Sequence, residues 1–351
     1  MSHSLNFKRI LIINPYGIGD VLFTTPVISN LRLAYPQAHI AYLANGRTAD
    51  FLKVNPDINQ VFVYERDEFV GSCQKYLELF NSIKQQGFEV VFDFSLNSGF
   101  GFFSFACGIK RRVGFDYRKR GRFLTDRVPM SGYEEKHVVE YYLDLLRAIQ
   151  VPIKTRQIKL GVSDRDIQWA QEWLNRHKID PAKPLIAVLP GGGASWGKAA
   201  KNKRWAPLNY AHLIDKIIEN FDAAIILMGD SKEEDLCREV VSLAHFPLQS
   251  AVGETTLLGL AALLLLAQGA IVNDGGPLHV AAAVGVKTVS IFGPVDPNVY
   301  GPYSPAEHIT VQKGLPCQPC YRRFRMSQCS HISCLRDLSV EEVYRKVQNI
   351  L

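Results

Sequence analysis

The sequence lacks the extremes of composition that mark several classes of protein. Of its 351 residues, 47% are hydrophobic and 21% are charged, which excludes disordered, collagen-like and coiled-coil proteins. The longest apolar run, 257–267 with its glycine counted, is shorter than the roughly 20 residues of a membrane span. The first apolar stretch, 10–13, is too short for a signal-peptide core. We therefore expect a soluble cytoplasmic protein of two domains.

A strong charge of one sign is also missing. Forty Lys and Arg residues against 34 Asp and Glu give a net charge of +6. No run of basic and aromatic residues resembles a nucleic-acid-binding module, so we expect no nucleic-acid partner. The small positive excess favours an anionic substrate or a membrane surface. Seven cysteines in a long chain without a secretion signal are expected to be reduced thiols, unless a metal holds some of them.

Short apolar strands alternate with amphipathic helices along the chain. This alternation predicts an α/β fold with two doubly wound, Rossmann-like parallel sheets. A linker is expected near 150–165, which gives domains 1–155 and 156–351, and the last helix is expected to pack across a domain. Such sheets bind ligands at the carboxyl ends of their strands, so we expect the two domains to face a central cleft. The predicted strands are 9–14, 39–43, 60–64, 89–93, 185–189, 223–228, 269–273 and 288–292.

The first candidate motif is Asn-Pro-Tyr-Gly-Ile-Gly-Asp at 14–20, directly after the first strand. Gly17 and Gly19 allow a ligand to approach the backbone. A dinucleotide fingerprint needs a third glycine where this chain has Leu22, and an acid after the second strand, which is absent. A nicotinamide enzyme is therefore disfavoured. Asp20 is either the cap of the next helix or a carboxylate at the ligand site.

The second motif is Pro-Gly-Gly-Gly-Ala-Ser-Trp-Gly-Lys at 190–198, after the first strand of the second half. This sequence is close to the phosphate-binding P-loop motif. Ala199 stands where that motif needs Ser or Thr for magnesium, and no helix follows at once, so a Walker nucleotidase is disfavoured. The surrounding cations make this either a phosphate-binding loop or a solvated basic loop. They are Lys198, Lys201, Lys203 and Arg204.

The third motif is Asn-Asp-Gly-Gly-Pro-Leu-His at 273–279, between a strand and a helix. Pro277 suits the first turn of a helix. The free N–H groups of that turn, together with the helix dipole, can bind an anion, and His279 lies in the same turn. The alternative is a capping turn that contains a histidine by chance.

Three further signals each allow two interpretations. Four thiols within 18 positions form either a structural zinc site or a loop with reduced cysteines; they are Cys317, Cys320, Cys329 and Cys334. The segment 108–127 contains eight basic and two acidic residues with interleaved aromatics, as in a solvated loop or a clamp for an acidic substrate. Asp164 and Asp166 form a DxD pair, for which helix capping is favoured over metal binding.

Taken together, the ordered motifs resemble the bacterial ADP-heptose:lipopolysaccharide heptosyltransferases of glycosyltransferase family 9. The resemblance covers essentially the whole chain and includes its cysteine-bearing tail. It implies a GT-B fold and an inverting, metal-independent transfer of heptose from a nucleotide sugar, with ADP as the expected nucleotide, to a lipopolysaccharide core acceptor. No cofactor is then required for catalysis. The segments that carry the resemblance are 10–21, 190–194, 203–205, 273–281 and 292–297.

The resemblance also implies roles for individual residues. The general base of the family corresponds to Asp20, and the lysine that stabilises the diphosphate corresponds to Lys203. Gly275 stands where members often carry Ser or Thr. Domain 1–155 would bind the acceptor through Gly17, Gly19, Arg118 and Arg120. Domain 156–351 would bind the nucleotide sugar through Gly192, Gly193, Ser195, Lys203, Glu233, Asp274, Gly275, Gly276 and His279.

This chemistry agrees with the residue types. An inverting transfer needs one carboxylate to deprotonate the acceptor hydroxyl, and cations and N–H groups to stabilise the leaving diphosphate. We expect a monomer with peripheral contact to the inner membrane at its cytoplasmic face. One alternative is a nucleotide-sugar epimerase or hydrolase of the same fold, which consumes the donor without an acceptor. The other is a non-catalytic nucleotide-sugar or lipid A–core binding protein, which does not need Asp20.

Overall fold

The computed structural model describes residues 6–65, 72–192, 200, 202–303 and 308–351. The chain divides into two compact units, unit 1 (Met1–Lys159) and unit 2 (Leu160–Leu351). Each unit contains one six-stranded parallel sheet with helices in the connections between its strands. The predicted α/β class is therefore confirmed.

The sheet of unit 1 has the strand order β3-β2-β1-β4-β5-β6, and all neighbours are parallel. Its strands are β1 (Arg9–Ile13), β2 (His39–Ala44), β3 (Gln60–Val63), β4 (Val90–Asp93), β5 (Arg111–Tyr117) and β6 (Asp126–Met130). Its helices are α1 (Ile18–Phe23), α2 (Thr25–Ala34), α3 (Gly46–Lys53), α4 (Cys73–Gln85), α5 (Ser98–Ala106) and α6 (Val138–Ala148).

Burial on both faces explains why β1 is a nearly continuous apolar run. Leu11 and Ile13 point into a core that α4 and α5 complete with side chains such as Ile83 and Phe103. On α6, which contacts α2, the Tyr142 ring packs against Phe94 and Phe115. Strands β5 and β6 include 111–117 and 126–127 of the basic segment 108–127, and 118–125 form the turn that connects them.

The sheet of unit 2 has the order β12-β11-β10-β7-β8-β9 and is also parallel. Its strands are β7 (Leu185–Leu189), β8 (Ala224–Leu227), β9 (Gln249–Ser250), β10 (Gly269–Asn273), β11 (Lys287–Ile291) and β12 (His308–Val311), and β13 (Tyr321–Arg322) pairs with β14 (Arg325–Met326) in a separate hairpin. Its helices are α7 (Asp164–Arg176), α8 (Pro207–Phe221), α9 (Glu234–Leu243), α10 (Leu257–Leu266), α11 (Gly276–Val284), α12 (Pro297–Tyr300), α13 (Ser333–Arg336) and α14 (Val340–Val347).

The final helix is part of the core of unit 2. Val343 and Val347 of α14 lie in the same buried cluster as Trp205 and Tyr210, and the Trp205 indole donates a 2.9 Å hydrogen bond to the Leu338 carbonyl. The 257–267 apolar run forms α10. Within the described part of the chain, no helix has the length and apolar character needed to span a membrane.

Candidate functional site

The candidate site of unit 1 is built on the turn between β1 and α1. Gly17 precedes α1 as its N-cap, and Val21 N donates to the Gly17 carbonyl at 3.1 Å. The buried Asn14 donates from Nδ2 to the Asp20 carbonyl at 3.1 Å and accepts from Tyr16 N at 3.2 Å. Because α1 begins at Ile18, Asp20 lies within its first turn and is not its N-cap, so the capping alternative is wrong.

The carboxylate of Asp20 has a tyrosine donor. The Tyr142 hydroxyl donates to Asp20 Oδ1 at 3.4 Å, and Tyr142 is also hydrogen-bonded to Tyr133. Burial raises the pKa of both tyrosines well above 10, and the Asp20 charge raises them further. Both hydroxyls therefore stay protonated, so the Tyr142 hydroxyl can donate to the carboxylate at neutral pH.

A second carboxylate, which the sequence analysis missed, lies in the same region. Asp93 ends β4 next to β1, is 5% exposed, and accepts a 2.8 Å hydrogen bond from Ser95 N. Burial raises its pKa to about 6 against the opposing effect of the Ser95 hydrogen bonds. Its position at the carboxyl end of a central strand was the available signal.

Electrostatic interactions connect Asp20, Asp93 and one of the predicted arginines. The pKa of Tyr16 is raised, first by burial and then by Asp20 and Asp93, whereas Arg120 lowers it. Unit 1 thus brings Asp20, Asp93 and Arg120 around one tyrosine. The Arg118 guanidinium lies over the Tyr117 ring, with 5.1 Å between its carbon and the ring centroid.

In unit 2, the segments that follow β7 and β10 contact each other at glycine residues. Gly192 has a left-handed φ of +72°, and a Cβ atom on Gly275 would lie 1.6 Å from the Gly192 carbonyl oxygen. The buried Asn273 ties the two segments together, because its Nδ2 donates to the Pro190 carbonyl and its Oδ1 accepts from Trp205 N at 3.4 Å. This close approach leaves no room for a side chain at 275.

Lys203 lies beside this turn in a buried ion pair. Its Nζ is 2.6 Å from Asp274 Oδ2, and the two side chains are only 10% and 5% exposed. Gly276 and the buried His279 belong to the first turn of α11. The structure therefore brings Gly192, Lys203, Asp274 and the α11 N-terminus together, whereas Gly193 and Ser195 lie outside the described residues.

The Glu233 side chain packs against Gly191, which lies at the start of the 190–198 motif. A Cβ atom on Gly191 would lie 1.8 Å from Glu233 Oε1. The carboxylate accepts from Asp230 N at 3.1 Å and pairs with Arg204 at 3.5 Å, and Arg204 Nε donates to the Gly191 carbonyl at 2.8 Å. Glu233 thus supports the loop through Arg204, a contact that the sequence analysis did not foresee. A direct contact between Glu233 and a donor remains a prediction.

The structure does not support the predicted zinc site. Cys317, Cys320, Cys329 and Cys334 are all free thiols, and within the described ranges no three His, Cys, Asp or Glu side chains are arranged to hold a metal ion. Cys334 instead belongs to the hydrophobic core of unit 2, where burial and the other thiols raise its pKa to about 11.

Comparisons with known proteins give the family of the chain. The family model for glycosyltransferase family 9 (heptosyltransferase) matches residues 76–331. The chain is 24% identical over 307 residues to lipopolysaccharide heptosyltransferase 2 of Escherichia coli (strain K12), covering 84% of this chain and 86% of that protein. It is 24% identical over 347 residues to lipooligosaccharide heptosyltransferase 2 of Campylobacter jejuni, covering 98% of each.

A solved structure gives the same result for the fold. The E. coli ADP-heptose lps heptosyltransferase II superposes with a TM-score of 0.78 at 21% identity, covering 97% of this chain and 98% of that one. The predicted two-domain GT-B fold is thereby confirmed.

Proposed function

The chain belongs to glycosyltransferase family 9, the heptosyltransferases, and from this premise we propose that it transfers heptose from ADP-heptose to the lipopolysaccharide core. The names of its relatives support both substrates, because they specify lipopolysaccharide or lipooligosaccharide heptosyltransferases and ADP-heptose. The observation that carries the proposal is the Asp20 carboxylate, which accepts from the Tyr142 hydroxyl, while Asn14 fixes the Asp20 backbone through its carbonyl. A non-catalytic binding protein has no need of such a group.

In the proposed reaction, Asp20 is the general base. It takes the proton of an acceptor hydroxyl while the hydroxyl oxygen attacks the anomeric carbon of heptose. The bond from that carbon to the diphosphate oxygen breaks on the opposite side, which inverts the anomeric configuration. ADP leaves with the bonding electron pair, and the proton remains on Asp20.

Unit 2 would stabilise the leaving diphosphate. The ammonium of Lys203 and the N–H groups at the start of α11 supply the positive charge that the diphosphate requires. Because Asp274 already fixes Lys203, the ammonium needs little reorganisation when the donor binds. Gly192 and Gly275 allow the two backbone segments that carry these groups to pack against each other. Ser195, Gly193, Glu233 and His279 are proposed to complete the donor pocket, and no step of this reaction uses a metal.

The acceptor would bind to unit 1. Its acidic sugars and phosphates need cations, and Arg118 and Arg120 provide them at the exposed turn after β5. Arg120 shares the electrostatic surroundings of Tyr16 with Asp20. Because the core grows on a membrane lipid, we propose a peripheral monomeric enzyme at the cytoplasmic face of the inner membrane.

A transfer assay with separate readouts for donor and acceptor tests the proposal. The purified chain is incubated with ADP-heptose and a core acceptor that lacks heptose, and ADP and glycosylated acceptor are both measured. We expect equal amounts of the two products, a new glycosidic bond of inverted configuration by NMR, and no loss of rate in EDTA. UDP, GDP and CDP sugars serve as control donors that carry other nucleotides.

The alternatives give different results in the same assay. An epimerase or hydrolase would consume the donor equally well without an acceptor. A binding protein would be stabilised by the donor, by about 2.7 kcal/mol at 100 times its Kd, yet turn over nothing. Either outcome would contradict transfer, and a preference for another nucleotide would correct the donor.

A further inference from the structure

Three aromatic rings form a continuous cluster at the surface of unit 1, in which Phe102 and Phe105 are exposed and Phe123 is half-buried. Phe102 and Phe105, one helical turn apart on α5, are 49% and 53% exposed, whereas Phe103 on the same helix is buried. The Phe123 ring bridges them, with centroid distances of 5.2 Å to Phe102 and 6.0 Å to Phe105. We call Phe102, Phe105 and Phe123 the aromatic patch. Clustered exposed rings of this kind mark interaction surfaces.

Cations frame the aromatic patch. The Arg122 guanidinium carbon lies 4.5 Å from the Phe123 centroid, and that of Arg112 lies 5.5 Å from the Phe105 centroid. The two acids of the segment are engaged elsewhere: Asp126 pairs with Arg111 at 2.9 Å, and Asp116 accepts from Gly121 N. The surface beside the rings is therefore strongly positive. The exposed cations of the segment are Lys110, Arg118, Lys119, Arg120, Arg122 and Arg127.

The aromatic patch adjoins the candidate site of unit 1. Asp93, Arg120, Gly101 and Leu124 line one small cavity, and Gly101 and Leu124 are the chain neighbours of two patch residues. Helix α5 leaves the carboxyl end of β4 and runs back toward the start of β5, where Arg112 lies over the Phe105 ring. The patch therefore extends from the neighbours of this cavity toward the amino end of the sheet.

We propose that the aromatic patch and its cations dock unit 1 onto a bilayer rich in anionic lipid. The rings enter the interface below the headgroups, and the guanidinium groups bind lipid phosphates. This proposal rests on the proposed function in one respect, because an acceptor anchored in lipid must be reached at the membrane surface. Rings or cations alone bind membranes weakly, and the combination of both is needed for stable attachment.

The test is vesicle flotation with the full chain. Vesicles of phosphatidylglycerol and phosphatidylethanolamine are compared with vesicles of phosphatidylcholine. We expect binding to the anionic vesicles only, weakened by salt. The double variant Phe102→Ser, Phe105→Ser should bind at least about tenfold more weakly because buried apolar area is lost. Arg122→Glu should also lose about 30-fold because two units of charge change.

Matched controls lie elsewhere on unit 1. Leu33 on α2 is 50% exposed and Lys53 on α3 is exposed, so Leu33→Ser and Lys53→Glu should bind as the wild type does. Turnover of a delipidated, soluble acceptor should be unchanged in the Phe102→Ser, Phe105→Ser variant, whereas turnover of vesicle-embedded acceptor should fall. If the wild type turns over neither acceptor, the proposed function is contradicted. The vesicle-binding result does not depend on that outcome.

Two outcomes would overturn the docking proposal. One is equal flotation of the wild type and the double phenylalanine variant. The other is a dimer, measured by light scattering, that the phenylalanine substitutions dissociate while vesicle binding is absent. The patch would then be an interface between copies of this chain.

Discussion

Replacing Gly275 by serine should destabilise unit 2, because this position has no room for a side chain. A Cβ atom there would lie 1.6 Å from the Gly192 carbonyl oxygen, whereas real Cβ contacts are essentially never shorter than 3.0 Å. The colliding atom belongs to the backbone, so no rotamer change can relieve the clash. The two turns must separate by more than 1 Å, which strains the hydrogen bonds of Asn273 to Pro190 and Trp205.

The expected cost follows from these contacts. Overpacking of a well-packed site costs about 1–3 kcal/mol, and each weakened hydrogen bond adds about 1 kcal/mol. We therefore expect Gly275→Ser to lower the free energy of unfolding of unit 2 by about 3–5 kcal/mol. For a domain of 150–250 residues, each kcal/mol lowers Tm by about 2–4 °C, so Tm should fall by roughly 6–20 °C.

Urea unfolding followed by tryptophan fluorescence is the assay. All four tryptophans lie in unit 2, at 169, 173, 196 and 205, so the signal reports that unit. The matched control is Gly285→Ala at the other end of α11. Gly285 has φ +83° and no atom within 4 Å of a built Cβ, so alanine should cost only about 1–2 kcal/mol of backbone strain. Equal losses for the two variants, or a Gly275→Ser variant within 1 kcal/mol of wild type, would refute the steric argument.

Three further predictions concern single side chains. Lys203→Ala should weaken ADP binding roughly 10- to 150-fold by calorimetry, because one charge-assisted contact is worth about 1.5–3 kcal/mol; unchanged affinity would place Lys203 outside the donor site. The pKa of Asp93 is about 6 in the folded chain, whereas its ordinary value is 3.8. Ionisation of Asp93 therefore lowers the free energy of unfolding progressively as pH rises from about 4 to about 6, and the whole loss is present above about pH 6. Asp93→Asn should therefore be more stable than wild type at pH 7.5, by up to about 3 kcal/mol, with the difference gone below pH 4; a difference that does not depend on pH contradicts this. Tyr142→Phe removes a donor to Asp20 and should move the acidic limb of kcat/KM to higher pH without a large change at the plateau; an unmoved limb would show that the contact does not tune Asp20.

Local patterns predicted most of the fold. Apolar runs such as 9–14 and 269–273 became β1 and β10 because central parallel strands are buried on both faces. The Ser163–Asp166 capping box confirmed the preference for helix capping over metal binding in the DxD pair. Strands β5 and β6 were missed, because arginines at the start of β5 and polar residues in β6 hide the strand pattern.

The site depends more on tertiary contacts, which the sequence does not display. The sequence places Asp93 at the end of a strand, but its raised pKa depends on burial by distant residues. Gly275 departs from the family pattern for a reason that appears only when Gly192 is placed against it. The spacing of the tail cysteines suggested zinc, yet packing draws Cys334 into the core. The residue types thus indicated which kind of reaction the site could support. Contacts in the folded chain decide which side chains can act in that reaction.

Asp20 is proposed to deprotonate the acceptor during transfer of heptose. Asp20→Asn keeps the size and most of the hydrogen-bonding ability of the side chain and removes its basicity. ADP-heptose should bind this variant with near-normal affinity, because the proposed donor residues all belong to unit 2. The kcat for transfer to the core acceptor should fall by roughly two to four decades. A folded Asp20→Asn variant that binds donor and transfers heptose within a few-fold of the wild-type rate would contradict the account.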